Sequence, residues 1–239
     1  MSNFIEDFEL RFEKQLPSEL LSCEEKNKTL LLAVSGGSDS IAMLVCSLSL
    51  IKNPIFENKY KNLNLKVVTV NHKIRSEEES LGDCLFVKKL CESNQIPCFI
   101  ENAKENEIKN LSVERGMGTE ESARFFRYSI FKKIALQEKA DFIFLAHNKD
   151  DQLETLIQRF FQGSTGNSSL GIPQKRDIFY RPMLEFSKKE IYQYLEEKKV
   201  EYRTDATNFE NDYLRNKIRN LVIPCINENF NGWESALLK

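Results

Sequence analysis

The stretch TLLLAVSGGSDSIAMLVCSLSLI at positions 29–51 constrains this chain more than any other. The apolar run at 30–34 reads as a buried β-strand, and the apolar residues beyond position 40 have the density of a buried helix. Between them stand Ser35, Gly36, Gly37, Ser38, Asp39 and Ser40. A strand feeding a glycine loop feeding a helix makes a phosphate cradle. The glycines let backbone N–H groups approach an anion, and the helix N-terminus adds unpaired donors and a positive dipole end. A carboxylate beside phosphates repels them unless a cation intervenes, so Asp39 points to a bound Mg²⁺. A lone Gly-Gly pair is more often a plain turn; six small or acidic residues in this setting favour the cradle. The stretch lacks G-x-x-x-x-G-K-[ST], and no lysine within it reaches a terminal phosphate.

At 239 residues the chain suffices for one large or two small domains with a substantial core. A net charge of −2 does not advertise nucleic acid, so any RNA contact must come from a local basic face. No run approaches the roughly twenty apolar residues that span a bilayer. The N-terminus, MSNFIEDFELRF, is acidic and amphipathic, unlike a secretory signal. These features point to a soluble, cytoplasmic protein with no membrane partner. The six cysteines form no C-x-x-C and read as buried free thiols in a reducing compartment.

Phe4, Phe8 and Phe12 recur at helical spacing and mark a core-facing helix over 4–16. A polar connection at 52–62 precedes a second strand at 65–70, which ends in NHKIR. Ser76 and Glu79 form a capping box opening a helix to about residue 94. A third strand follows at 96–101, and the polar, glycine-ended 102–118 reads as a mobile loop near a site. A long helix covers 119–139, with Arg124 and Arg127 three apart on one side. A fourth strand at 141–146 leads into His147 and Asp150-Asp151 at the start of a helix to about 162. After a small-residue loop at 163–171, residues 180–184 read as a short edge segment because Pro182 would interrupt an inner ladder. Ser187 and Glu190 form another capping box, for a helix to about 199. The final piece runs from 205 to 224.

Strand and helix alternate from 30 to 162, which predicts a Rossmann-like α/β fold: a doubly wound parallel sheet with ligands at the strands' carboxyl ends. Residues 1–162 would form the nucleotide-binding core, and 163–239 a mostly helical C-terminal extension packed on it. The clusters at 35–40, 71–75 and 147–151 would then share one edge. His147, Asp150 and Asp151 offer a base, a metal ligand or an ammonium acceptor there. The plainer readings are a structural histidine and two carboxylates complementing a helix N-terminus.

The loop resembles the SGGxDS loop of the PP-loop ATP pyrophosphatases, in the adenine nucleotide alpha hydrolase-like fold. Taken with VNHKIR, EESARFFRY, AHNKDDQLET, GSTGNSSLGI, RPML and TDATNFENDYLRNKIRNLVIP in that order, the chain resembles the N-terminal catalytic domain of the tRNA(Ile)-lysidine synthetase family. The resemblance covers most of 30–224. It implies a carbon–nitrogen ligase whose substrates are ATP, free L-lysine and a tRNA(Ile) with a CAU anticodon. The wobble cytidine is adenylated at O2 with release of pyrophosphate; lysine then displaces AMP to leave lysidine. The resemblance makes residues 35–40 the ATP-binding loop, with Asp39 on the metal. Asp151 becomes the acceptor for the lysine amine, with His147 beside it. Arg124 and Arg215 become forked donors to the lysine carboxylate or the adenylate. Many relatives carry paired histidines where this chain has His147-Asn148, and many continue into C-terminal tRNA-gripping domains. Arg203, Arg215, Lys217 and Arg219, with Lys132 or Lys133, are the expected RNA-phosphate contacts. The alternatives are a thiolating PP-loop tRNA enzyme, disfavoured by the missing C-x-x-C, and a non-catalytic ATP-binding module.

Overall fold

A computed structural model describes residues 3–21, 27–73, 77–204 and 214–239. Strand β1 (Lys28–Ala33) holds Leu30, Leu31 and Leu32, all fully buried. Successive strand side chains point to opposite faces, so three buried neighbours require cover on both sides of the sheet. The remaining strands are β2 (Leu63–Asn71), β3 (Cys98–Asn102), β4 (Phe142–Phe144), β5 (Lys175–Arg176) and β6 (Phe179–Tyr180). Their order across the sheet is β3-β2-β1-β4-β6-β5, parallel except for the β5–β6 pair. The chain winds outward from β1 through β2 to β3, then returns to β4 on the other side of β1. That reversal puts a crevice at the carboxyl ends of β1, β2 and β4.

The helices before the return are α1 (Asn3–Lys14), α2 (Ser18–Leu21), α3 (Ser38–Lys52), α4 (Glu57–Tyr60), α5 (Glu77–Ser93) and α6 (Glu107–Arg115). After it come α7 (Thr119–Gln137), α8 (Lys149–Phe161), α9 (Lys188–Glu197), α10 (Leu214–Lys217), α11 (Ile223–Asn229) and α12 (Trp233–Leu237). Leu30, Leu32, Val67, Phe142 and Phe144 pack with residues of α1, α3, α5 and α9 on one face. Leu31, Val68, Ile143 and Leu145 pack with Phe131, Ile134 and Ala135 of α7 on the other. The alternation along β1, β2 and β4 thus builds both layers of the predicted doubly wound fold. The phenylalanine stripe of α1 serves this core: Phe8 and Phe12 are fully buried. Beside them the buried Glu9 carboxylate accepts from Ser49 Oγ at 2.6 Å, Tyr194 Oη at 2.8 Å and Lys198 Nζ at 2.6 Å. One satisfied charge therefore ties α1, α3 and the α9 region together.

Four expectations change. Residues 102–118 are not a loop: α6 forms there, anchored by buried Ile108 against Ala103, Ala123 and Phe126 and ended by Gly116 at φ 61°. One apolar anchor leaves no periodic stripe to read. The third strand starts at Cys98, because Pro97 cannot donate to a ladder, although its carbonyl accepts from Val67. β6 is flanked by β4 and β5, so β5 is the edge; Pro182 falls just past the strand. The polar connection at 52–62 contains α4. The capping box at Ser187 and Glu190 is present, whereas that at Ser76 lies outside the described residues, as do Arg75 and most of the 205–213 motif.

Residues 214–229 run as α10, a π turn at Ile218–Val222, and α11. Pro224 cannot donate to the carbonyl four residues back and its ring crowds it; the wider turn relieves that conflict. This helical run and α12 pack on α8. No described helix is long and apolar enough to cross a membrane.

Candidate active site

The β1–α3 loop begins with Ser35, whose N–H donates to Ser40 Oγ at 3.2 Å; that hydroxyl donates on to the Gly37 carbonyl at 2.9 Å. Gly36 sits at φ +95°, a conformation that L side chains rarely adopt, and its carbonyl accepts from Arg203 N at 2.9 Å. Arg203 further buttresses the loop through a parallel bridge to Gly37. Gly37 is the N-cap of α3 and offers no side-chain acceptor, so the first-turn N–H groups face outward for an anion. Residues 35–40 thus form a strand-to-helix turn whose helix N-terminus carries no side-chain cap.

Asp39 already carries a cation. The Lys188 ammonium, from the first turn of α9, lies 2.8 Å from each Asp39 oxygen and 2.9 Å from Ser38 Oγ. Burial raises the Asp39 pKa, with Asp151 adding repulsion; Lys188 and the Asn148 amide act against the rise. One carboxylate and one hydroxyl make a donor set that suits Mg²⁺ only with phosphate oxygens completing it. No group of three metal-binding side chains occurs among the described residues.

Asn148 caps α8: its side chain accepts from Asp151 N at 2.9 Å, and Asp151 Oδ2 accepts from Asn148 N at 2.9 Å. Asn148, which follows His147, is thus the N-cap of α8. The other Asp151 oxygen, Oδ1, takes Arg215. Arg215 Nε also donates to Glu154 at 2.7 Å, and Arg219 Nε donates to the same carboxylate at 2.6 Å. Burial opposes charge on Arg215, but Asp151 and Glu154 outweigh it and hold the guanidinium protonated more firmly than usual.

A cavity of about 210 Å³ opens between the loop and α7, lined by Ser35, Asp39, His72, Arg124, Arg127 and His147 over an apolar floor that includes Val68 and Leu145. Arg124 donates to Tyr128 Oη at 3.0 Å. His147 Nδ1 and Arg127 Nε are buried with no hydrogen-bond partner among the described residues. Burial, then Arg124, Arg181, Arg215 and Arg127, push the His147 pKa down to about 3. His147 is therefore neutral at working pH and too weak a base to deprotonate an amine.

The profile of the PP-loop domain family matches residues 6–226. The chain belongs to the PP-loop family. Over 210 residues it is 46% identical to the tRNA(Ile)-lysidine synthase of Treponema denticola, covering 88% of this chain and 44% of that protein. It is 36% identical over 216 residues to the tRNA(Ile)-lysidine synthase of Treponema pallidum (strain Nichols), covering 90% of this chain and 44% of that one. The chain thus spans less than half the length of these curated relatives. Among solved structures, the U34-tRNA thiolase NcsA from Methanococcus maripaludis with its [4Fe-4S] cluster superposes with a TM-score of 0.75. That match covers 98% of this chain and 77% of the thiolase at 19% identity, which establishes a shared PP-loop fold and nothing further.

Of the residues singled out from sequence, Asp39, Arg124 and His147 line one cavity with Ser35, Gly37 and Ser40, and Asp151 and Arg215 pair beside it. Of the expected RNA contacts, Arg203 braces the loop, Lys133 pairs with Glu101, and Arg215 and Arg219 are drawn onto Glu154. Lys217 is exposed and makes no ion pair among the described residues. Sequence reasoning missed Lys188 and Glu154. The signal for Lys188 was a lysine pair in the first turn of a capped helix, where the dipole disfavours cations. For Glu154 it was the match between its position one turn after Asp151 and arginines four apart at 215 and 219.

Proposed function

We propose that this chain carries the catalytic site of a tRNA(Ile)-lysidine synthase, joining free L-lysine to the wobble cytidine of a tRNA(Ile) with a CAU anticodon at the expense of ATP. The observation that carries the reading is the convergence of two acids. Asp39 at the phosphate loop and Asp151 at the start of α8 lie close enough for each charge to act on the other, beside a cavity walled by Arg124 and Arg127. One acid suits nucleotide activation and the other suits an amine. The relatives at 46% and 36% identity bear the corresponding name.

In the first step cytidine O2 attacks the α-phosphorus of ATP and the bond to the β-phosphate breaks. The first-turn N–H groups of α3 stabilise the charge gathering on the departing pyrophosphate. Mg²⁺, held by Asp39, would supply further neutralisation of the phosphates. In the second step the lysine ε-amine attacks C2, the C2–O bond breaks and AMP leaves. The free amine has a pKa near 10.4, so it reaches the site as an ammonium and must shed a proton. Asp151 Oδ1 is the oxygen left over by the helix cap, and it orients the ammonium and assists that loss. Arg124 holds the lysine carboxylate or the adenylate, and neutral His147 supplies a hydrogen bond. Arg215 shares Asp151 with the incoming amine.

The test is incubation with ATP, lysine and a CAU-anticodon tRNA(Ile) transcript, following AMP and lysidine. Lysine-dependent AMP release, lost when the wobble cytidine is replaced by uridine, is the expected result. AMP release indifferent to the wobble base would overturn the assignment.

A further inference from the structure

The loop has no lysine of its own, yet the fold brings one to it from a segment 149 residues away. We propose that Lys188 is a phosphate-binding residue of this site: its ammonium is the ligand for the pyrophosphate part of ATP, held on Asp39 and Ser38 until phosphate oxygens replace them. The inference rests on the phosphate-binding role of the loop, and not on the identity of the RNA or the amine.

Three observations support it. The ammonium has three donors, and its hydrogen bonds go to the two Asp39 oxygens and Ser38 Oγ, all on the first turn of α3, while the centre of the Tyr192 ring lies 5.2 Å from it. It therefore stands at the helix N-terminus whose cap, Gly37, leaves the first-turn N–H groups to an outside anion. A phosphate oxygen arriving there meets backbone donors and a full positive charge together, which is a stronger site than either alone.

The backbone of Lys188 is also placed rather than loosely tethered. Its N–H donates to Asp150 Oδ2 at 2.7 Å, and Lys149 N donates to the Phe186 carbonyl at 2.9 Å. These bonds lace the start of α9 to the start of α8. The capping box of Ser187 and Glu190 fixes the helix end, and Arg11 holds Glu190 at 2.7 Å. Asp150, whose role sequence alone leaves open, is thereby a positioning residue for the lysine.

Finally, the position disfavours a merely structural cation. A lysine in the first turn of a helix is opposed by the macrodipole, and the Lys188 side chain keeps 34% of its surface exposed. The flexible stem can carry the charge from carboxylate to phosphate while the backbone stays fixed.

The experiment measures binding calorimetrically in EDTA, with inorganic pyrophosphate as probe and adenosine as control. Lys188→Gln should weaken pyrophosphate by about tenfold or more, the scale of one charged hydrogen bond, and leave adenosine unchanged. Lys188→Arg should retain most of the affinity. Asp39→Asn, which frees the ammonium and removes repulsion, should strengthen pyrophosphate binding; Lys188→Gln should still weaken it by about tenfold or more in that background. Equal effects on adenosine and pyrophosphate, no effect on either, or a Lys188→Gln effect that disappears in the Asp39→Asn background would each overturn the proposal. None of these outcomes depends on lysidine formation, so failure of the proposed function would be seen separately.

Discussion

Glu154 on α8 accepts from Arg215 Nε at 2.7 Å with a side chain only 1% exposed, and the same carboxylate takes Arg219. Removing one partner from a buried ion network strands the others, which costs more than the network contributes when whole. Glu154→Gln should therefore destabilise the protein by roughly 3 kcal/mol. The loss should concentrate in 214–229, whose amides should exchange faster with deuterium while those of β1 and β4 stay protected. Uniform loss of protection would show that the tail is not held through Glu154.

That network explains why the sequence conveyed the sheet better than the site. Leu30–Leu31–Leu32, Val67–Val68 and the apolar core of β4 state their burial directly, since a strand buried on both faces is apolar at every position. The phosphate loop was legible because its glycine-rich composition is local. Lys188 on Asp39 and Arg215 on Asp151 are contacts between segments far apart in the chain, and a single sequence carries no signal of which charges meet. α6 escaped for another reason: nine residues with one buried side chain have no periodicity to detect.

Two histidines occur in the whole chain, which makes His147 accessible to nuclear magnetic resonance. Its pKa in the fold is about 3, below the ordinary 6.5, because burial and surrounding arginines disfavour the imidazolium. A base with a depressed folded pKa contributes stability that is present above the unfolded value and is lost as pH falls toward the folded one. Between pH 7.5 and 5 the wild type should thus lose up to about 2 kcal/mol more than His147→Gln. The imidazole nitrogen shifts of His147 should stay flat over that range. A midpoint near 6.5 would show that the ring is hydrated and charged.

Gly171 is set by packing against the end of the Gln152 side chain rather than by backbone conformation. A Cβ there would come within 2.4 to 2.5 Å of the Gln152 side-chain amide, which accepts from Ile172 N and so ties the 171–174 segment to α8. Gly171→Ala should turn the Gln152 side chain away and cost about 1 kcal/mol, the scale of its lost hydrogen bond with Ile172 N. Gln152→Ala added to Gly171→Ala should recover part of the loss by removing the clash. A double variant less stable than the sum of the single changes would contradict this packing account.

The tail also separates the basic residues that serve the fold from those left for RNA. Arg215 and Arg219 are committed to Asp151 and Glu154, while Lys217 between them is exposed and makes no ion pair among the described residues. A protein of net charge −2 must gather its phosphate contacts locally, and each contact contributes about 1 to the log–log salt slope of RNA binding. Lys217→Ala should lower the magnitude of that slope by about 1 and leave the thermal midpoint unchanged. Arg219→Ala should instead lower the midpoint, since it removes one of the two cations from a buried carboxylate. Measuring tRNA affinity from low to high salt, beside an unfolding curve for each variant, distinguishes the roles. An unaltered slope for Lys217→Ala would return that lysine to an ordinary solvated helix face.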